Sequence, residues 1–305
     1  MRRVELLIDI ARKLSQNTRY DADAGVPQDI FVQYLNNAQD SLLKEIINSK
    51  SKFFKKTITT PVVSGQEVYA YPEDMFVQHI DTLQWSQIAQ RQSYYTTLFR
   101  SYVKERVTSQ IGYAFSYIPF EDGYHLNPPL GSGQLILTYT RKPEKLGKRA
   151  GKILSFTNTS GVLSALSVDS AEGSYDQTEI NSQNYLCIVS RDGVLKARNI
   201  GYDSCSAGAF TLSSFTLAST DILAIGDYVV VGKNVANMPD FPDICESYIL
   251  KHAVYEAKYG DSSQWNQEAK ADMNMNLSQL VASFGSMSDD NIEIAITNLD
   301  YLSLV

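Results

Sequence analysis

The chain has 305 residues, 20% of them charged, and a formal net charge of −7. That length can bury a large core and suits two domains better than one, and the acidic balance argues against a sequence-specific DNA binder. Three scattered cysteines without CxxC spacing do not read as a disulfide framework and suggest a reducing compartment. No apolar run approaches the roughly 18 residues of a membrane span, so no membrane partner is expected. The charge is uneven: residues 1–56 carry ten basic and seven acidic groups, whereas residues 234–305 carry three basic and eleven acidic.

The opening MRRVELLIDIARKL is interrupted by Glu5, Asp9, Arg12 and Lys13, which makes it an amphipathic helix and not a signal peptide. Leu6, Leu7, Ile10 and Leu14 mark its apolar stripe, with Asp9 facing away. Gly25-Val26-Pro27 breaks the chain. A second helix over 28–51 presents Ile30, Phe31, Tyr34, Leu35, Ala38, Leu42, Leu43, Ile46 and Ile47 as a broad face. It is expected to pack against a later helix at 243–259.

From Thr57 the period changes to two. TITTPVVSGQEVYAYP reads as two short strands around Ser64-Gly65, and FVQHIDTLQW as a further strand pair. YYTTLFRSYVKERV, 94–107, has a helical pattern. AFSYIPF, GYHLNPPL and GQLILTYTRKP alternate strand and turn around Gly123, Pro128-Pro129 and Gly131. KPEKLGKRAG reads as a linker into a Ser-, Thr- and Gly-rich stretch of short β-prone runs, expected to form a barrel or small sandwich.

GKNVANMPDFP then leads to a helix in which Ile244, Tyr248, Ile249, His252 and Tyr255 recur three and four apart. Asp243 and Glu246 have capping-box spacing. A further helical run over 263–284 precedes an alternating apolar tail, which carries too many large side chains to stay solvated. The expected fold is α+β: a discontinuous helical-bundle core with β hairpins, an inserted small all-β domain and an extended C-terminal arm. The expected boundaries are 1–148 for the first part of the core, 149–233 for the insert, 234–288 for the second part and 289–305 for the arm.

Candidate chemistry is sparse. His79, His125 and His252 lack second ligands at metal spacing. There is no GxSxG elbow, no GxGxxG after a strand and no GxxxxGK[ST], so no catalytic residue and no cofactor is expected. Lys50, Lys52, Lys55 and Lys56, and the run Arg141, Lys142, Lys145, Lys148 and Arg149, could touch phosphates only weakly. Two rival readings stand beside a structural one. The first is a hydrolase using Glu73 and Asp74, although neighbours on a strand face opposite ways. The second is a carbohydrate- or protein-binding module on the β insert, with Tyr175, Tyr185 and Tyr202 as platforms.

The ordering of ELLIDIARKL, QDIFVQYLNNAQDSLLKEII, GQEVYAYPEDM, YYTTLFRSYV, AFSYIPFEDGYHLNPPLGSGQLILTYTRKPEKL and FPDICESYILKHAVYEAKYGD resembles the head-to-tail adaptors, or connectors, of short-tailed bacteriophages. The likeness covers residues 1–146 and 239–284, and the β insert departs from the simplest members. It implies a non-enzymatic virion protein at the head–tail junction, assembled in the host cytoplasm into a ring commonly of twelve subunits. The ring would join the portal to a downstream tail or nozzle protein and leave a channel for DNA. By position, the resemblance gives portal docking to an arm carrying Ile292, Ile294, Ile296, Leu299, Tyr301, Leu302, Leu304 and Val305. Helix and subunit packing would fall to Phe31, Tyr34, Leu35, Leu42, Ile46, Tyr248, Ile249, His252 and Tyr255. Lys50, Lys52, Lys55 and Lys56 would make non-specific contact with DNA in transit.

Overall fold

Two helices come first, α1 (Val4–Ser15) and α2 (Gln28–Asn48). The computed structural model describes residues 1–15, 27–48, 54–86, 95–101, 116–127, 129–173, 177–217, 223–260 and 262–286. On α1 the buried face is Val4, Leu7, Ile8 and Ala11, which shares Leu7 alone with the predicted stripe. Leu6 and Leu14 are 41% and 47% exposed. Both sets have helical spacing, so only the neighbour can decide which is covered.

Eight strands follow: β1 (Lys55–Pro61), β2 (Val68–Tyr69), β3 (Met75–Ser86), β4 (Thr96–Thr97), β5 (Phe99–Arg100), β6 (Ser116–Pro119), β7 (Tyr124–Asn127) and β8 (Gln134–Arg141). They form two four-stranded sheets, ordered β1-β8-β3-β4 and β2-β7-β6-β5. Leu83, Trp85, Tyr124, Leu126, Leu135, Leu137 and Tyr139 share one buried cluster. The two strands flanking Ser64-Gly65 do form, but each joins a different sheet. FVQHIDTLQW lies in one long strand, β3, and not a pair.

The helix expected at 94–107 is overturned over the residues described. Thr96–Thr97 pairs with β3, and Phe99–Arg100 runs parallel to β6. Between them the buried Leu98 donates its N–H to the Leu83 carbonyl at 2.8 Å. A run of Tyr, Thr and Phe prefers the extended backbone once sheet edges are available to it.

Beyond β9 (Lys145–Leu146) come β10 (Arg149–Thr159), β11 (Val162–Asp169), a short α3 (Gln177–Ser182), β12 (Tyr185–Val189), β13 (Leu195–Ser206), β14 (Ala209–Thr216) and β15 (Tyr228–Val231). Six of these strands close into a barrel in the order β10-β11-β14-β13-β12-β15. Ile153, Leu163, Leu166, Leu186, Ile188, Ile200, Phe210 and Val229 fill it, and Ile180 of α3 joins them. The hairpins at Ser160-Gly161 (φ 52 and 84) and Ala207-Gly208 (φ 48 and 82) have positive φ at both central residues, the type I′ turn that suits twisted strands.

The stretch expected to be a linker is structured. β9 runs parallel to β16 (Val235–Ala236), so the chain entering the barrel and the chain leaving it are hydrogen-bonded to each other. Two further helices end the described chain, α4 (Glu246–Tyr259) and α5 (Gln267–Ser286). α1, α2 and α5 each pack against α4. The predicted capping box does not form: residues 243–245 make a 3-10 turn without a side-chain cap. Glu246 instead accepts the Arg2 backbone N–H at 2.8 Å and pairs with the Arg2 guanidinium at 2.9 Å.

The chain divides into two units, Lys52–Lys142 and the combination of Met1–Ser51 with Pro143–Val305. The helices and the barrel therefore belong to one unit, and the two β1–β8 sheets to the other.

Candidate functional site

The helical residues singled out from the sequence come together around α4. Phe31, Leu35, Leu42 and Ile46 of α2 are buried, as are Tyr248, Ile249 and His252 of α4, while Tyr34 and Tyr255 are half-buried. Their periodicity produces this, because residues three and four apart share one face. The Ser41 and Tyr248 hydroxyls lie 3.3 Å apart, and Asn37 donates to the Glu256 carboxylate at 3.1 Å.

His252 sits in the middle of this contact. Its ring meets Trp265 edge-on at 4.9 Å, and its Nδ1 is 3.8 Å from Glu256 with no hydrogen-bond partner. Burial pushes its pKa from 6.5 down to about 4, so the imidazole is neutral at pH 7. Across α4, Asp272 of α5 takes Lys251 at 2.9 Å and the Tyr255 hydroxyl at 2.8 Å. Hydrogen bonding from Lys251 leads the effects that hold its carboxyl below the usual range.

The lysines proposed for DNA contact are split. Lys50 and Lys52 lie outside the described residues. Lys55 pairs with Asp81 and donates to Thr140 Oγ1 at 3.0 Å; Lys56 pairs with Asp74 at 2.9 Å. In the second basic run, Arg141 lies 5.3 Å over the Phe54 ring, and Lys148 pairs with Asp29. These cations already have partners within the fold.

The carboxylates of the hydrolase reading differ in their settings. Glu73 is exposed in the turn before β3. Asp74 accepts the Tyr139 hydroxyl at 2.6 Å as well as Lys56. Burial would raise the Asp74 pKa, but the Tyr139 and Lys56 contacts outweigh it and hold the carboxyl low, the opposite of what a proton donor needs. His125 lies 3.1 Å from Asp122 and against Phe120, and the His79 side chain is outside the described set. Among the described residues no three His, Cys, Asp or Glu side chains converge. The three cysteines are free.

The sequence reading missed a buried polar knot at the neck of the barrel. Arg149, 5% exposed at the start of β10, donates to Asn237 Oδ1 at 3.0 Å and to the Arg191 carbonyl, and lies 4.1 Å over the Tyr228 ring. Asn237, fully buried, donates to Glu5 Oε1 at 2.9 Å and to the Gly147 carbonyl at 3.0 Å, and its own carbonyl accepts the Val4 N–H at 2.9 Å. Glu5 also accepts the Arg149 backbone N–H at 3.0 Å. Burial lowers the guanidinium pKa, and Glu5 offsets part of that. The knot ties the first turn of α1 to both chain segments of the barrel neck. Its one sequence signal was a basic residue opening a β run, which is too common to single out.

The aromatic platforms also separate. Tyr202 points into the barrel, 7% exposed, and its hydroxyl donates to the Ile180 carbonyl. Tyr185 is 38% exposed on the outer surface, and Tyr175 lies outside the described residues. The arm residues Ile292, Ile294, Ile296, Leu299, Tyr301, Leu302, Leu304 and Val305 likewise lie outside them, beyond the described end of α5 at Ser286.

Charged groups committed to internal pairing and helices gathered on α4 suit a structural protein. The chain belongs to the SU10 adaptor protein family, whose model matches residues 1–166. This is a family of bacteriophage head–tail adaptors, which are virion proteins of tail assembly. The match runs from α1 through both sheets of Lys52–Lys142 and ends inside β11. A search of curated proteins finds no match. No helix among the described residues is long and apolar enough to cross a membrane.

Proposed function

We propose that the protein forms a ring at the head–tail junction, joining the portal to a downstream tail or nozzle protein and leaving a central channel for DNA. The observation that carries this is the family match over residues 1–166. Twelve is the subunit number the family resemblance implies, and assembly takes place in the host cytoplasm. The domain reading proposed is a helical-bundle core (1–148 and 234–288), a barrel insert (149–233) and a docking arm (289–305).

In this reading the helices centred on α4 form the bundle and supply subunit contacts. The outward stripe of α1 adds a further surface: Leu6 and Leu14 are exposed and Ile10 is half-buried, four residues apart along one face. Its occupant is a second copy of the chain. A positive first segment and a negative last segment favour contact between unlike patches, the geometry that closes rings. The apolar side chains between Ile292 and Val305 dock on the portal, and Lys50, Lys52, Lys55 and Lys56 offer weak, non-specific contact to DNA.

Electron microscopy of the purified chain mixed with a portal ring is the test. Symmetric rings bound to the portal are expected. Deleting residues 291–305 should abolish portal attachment and leave the remaining fold unchanged. Leu14→Glu should block ring formation with an unaltered melting temperature. A chain that stays monomeric beside the portal would sink the proposal.

A further inference from the structure

We propose that the outer face of the barrel carries a binding site for a neutral saccharide, in the hollow over Gly201. The hollow is a depression open to solvent, lined by Tyr185, Asn199, Gly201, Asp203, Ser213 and Phe215 among others. A missing side chain creates it. Tyr185 of β12 stands opposite Gly201 of β13, and a Cβ on Gly201 would lie 3.3 Å from Ser213 Oγ of β14. Gly201 is not among the residues with positive φ, so its backbone does not require glycine. What the glycine supplies is room between two walls, Tyr185 on one side and Ser213 with Phe215 on the other.

The lining matches the two-sided chemistry of a sugar, whose ring has apolar C–H faces and a hydroxyl-rich edge. Tyr185 is 38% exposed, and its hydroxyl has no protein partner among the described residues. The exposed Asp203 accepts the Ser213 hydroxyl at 2.7 Å on one carboxylate oxygen, and the other has no partner among the described residues. Asn199 is held in place by Asn234. Its side-chain N–H donates to Asn234 Oδ1 at 2.7 Å, and its Oδ1 accepts the Asn234 backbone N–H at 2.7 Å. Both asparagines have left-handed φ, 51° and 55°. Two non-glycine residues kept in that sparsely populated region give the rim a rigid amide edge.

Other ligand classes fit less well. A phosphate or nucleotide would meet a carboxylate and no lining cation; Lys233, at the rim, has its ammonium 5.5 Å over the Tyr185 ring. An extended peptide needs an unpaired strand edge, and the closed barrel offers none here. A neutral saccharide needs a ring wall, carboxylate and hydroxyl acceptors and amide donors, and these are present.

This inference stands apart from the ring proposal and does not need it. The test is saturation-transfer NMR on the full chain with maltose, lactose and chitobiose, each at millimolar concentration. At least one should bind, and Tyr185→Ala and Asp203→Asn should each weaken it about tenfold or more. Both side chains are exposed, so circular dichroism melting should be unchanged in both variants. Gly201→Val should fill the hollow and abolish binding; if that variant fails to fold, Asp203→Asn still decides. No binding by any of the three sugars, or binding indifferent to these substitutions, overturns the proposal. So does loss of a tail-protein contact in the same variants without any sugar binding, which would make the hollow a protein interface.

Discussion

His252 shows how one buried side chain ties stability to pH. Unfolded, its imidazole takes up a proton near pH 6.5; folded, it does so only near about 4. Between these values the unfolded chain binds more protons, so the contribution is fully present above pH 6.5 and is lost as pH falls towards 4. With the ring 5% exposed, the contribution at stake is about 3 kcal/mol at most. Glu256, at 3.8 Å, would stabilise the protonated ring and trims that figure, while Tyr248 and Trp265 offer it no charge. Urea midpoints measured at pH 7 and pH 5 should fall clearly in the wild-type chain and much less in His252→Leu. Asp272 also loses its contacts on protonation, but its depressed pKa places that loss below the ordinary carboxylate range.

At the scale of elements, the two type I′ hairpins of the barrel make a controlled pair. Gly161 and Gly208 have nearly the same φ, 84° and 82°. A Cβ on Gly161 would meet nothing within 4 Å, whereas one on Gly208 would lie 2.7 Å from the Val168 carbonyl oxygen. Gly161→Ala should therefore cost only the left-handed strain, about 1 kcal/mol. Gly208→Ala should cost that and a backbone displacement besides, reaching about 2 kcal/mol or more. Thermal melts of the two variants would separate the effects, and equal losses would refute the distinction.

The β-prone runs of the barrel were legible in the sequence as a Ser-, Thr- and Gly-rich stretch of short strands, but the positions of these hairpins were not. The helices at 28–48 and 246–259 were readable because their apolar spacing has a single consistent face. Long-range partners were not readable. The α1 stripe was misplaced because two faces had helical spacing, and 94–107 read as a helix because its spacing fits that period and does not reveal the β3 and β6 edges that capture Thr96–Arg100, although both edges are near in sequence. The neck was taken for a linker because the partner of β9 lies about ninety residues away, at Val235–Ala236. Within the saccharide site the sequence pointed to Tyr185 and Tyr202 as platforms, and of these Tyr202 belongs to the barrel core. Gly201 acts by lacking a side chain, and only the register shows what that opens.

At the scale of the whole molecule, the division of the chain matters more than the count of its elements. The barrel is grouped with the helices, and Arg149 is central to why: it sits where β10 leaves the neck and reaches Asn237, while Glu5 of α1 accepts from both residues. Lys52–Lys142 has its own buried cluster built on Leu83, Tyr124, Leu135 and Tyr139. Two cooperative transitions should follow, one for helices and barrel together and one for the two sheets. Arg149→Ala leaves the buried Asn237 Oδ1 without its donor and removes the cation facing Glu5, so it should cost about 3 kcal/mol. Hydrogen exchange followed by mass spectrometry can assign that loss to its segments. Amides of α1, α4 and the barrel should lose protection together, and those of β1, β3 and β8 should not. If the barrel alone loosened while α1 and α4 kept their protection, the neck would be a hinge and the knot no more than a local contact. Loss of protection in both groups would mean that the two units fold as one.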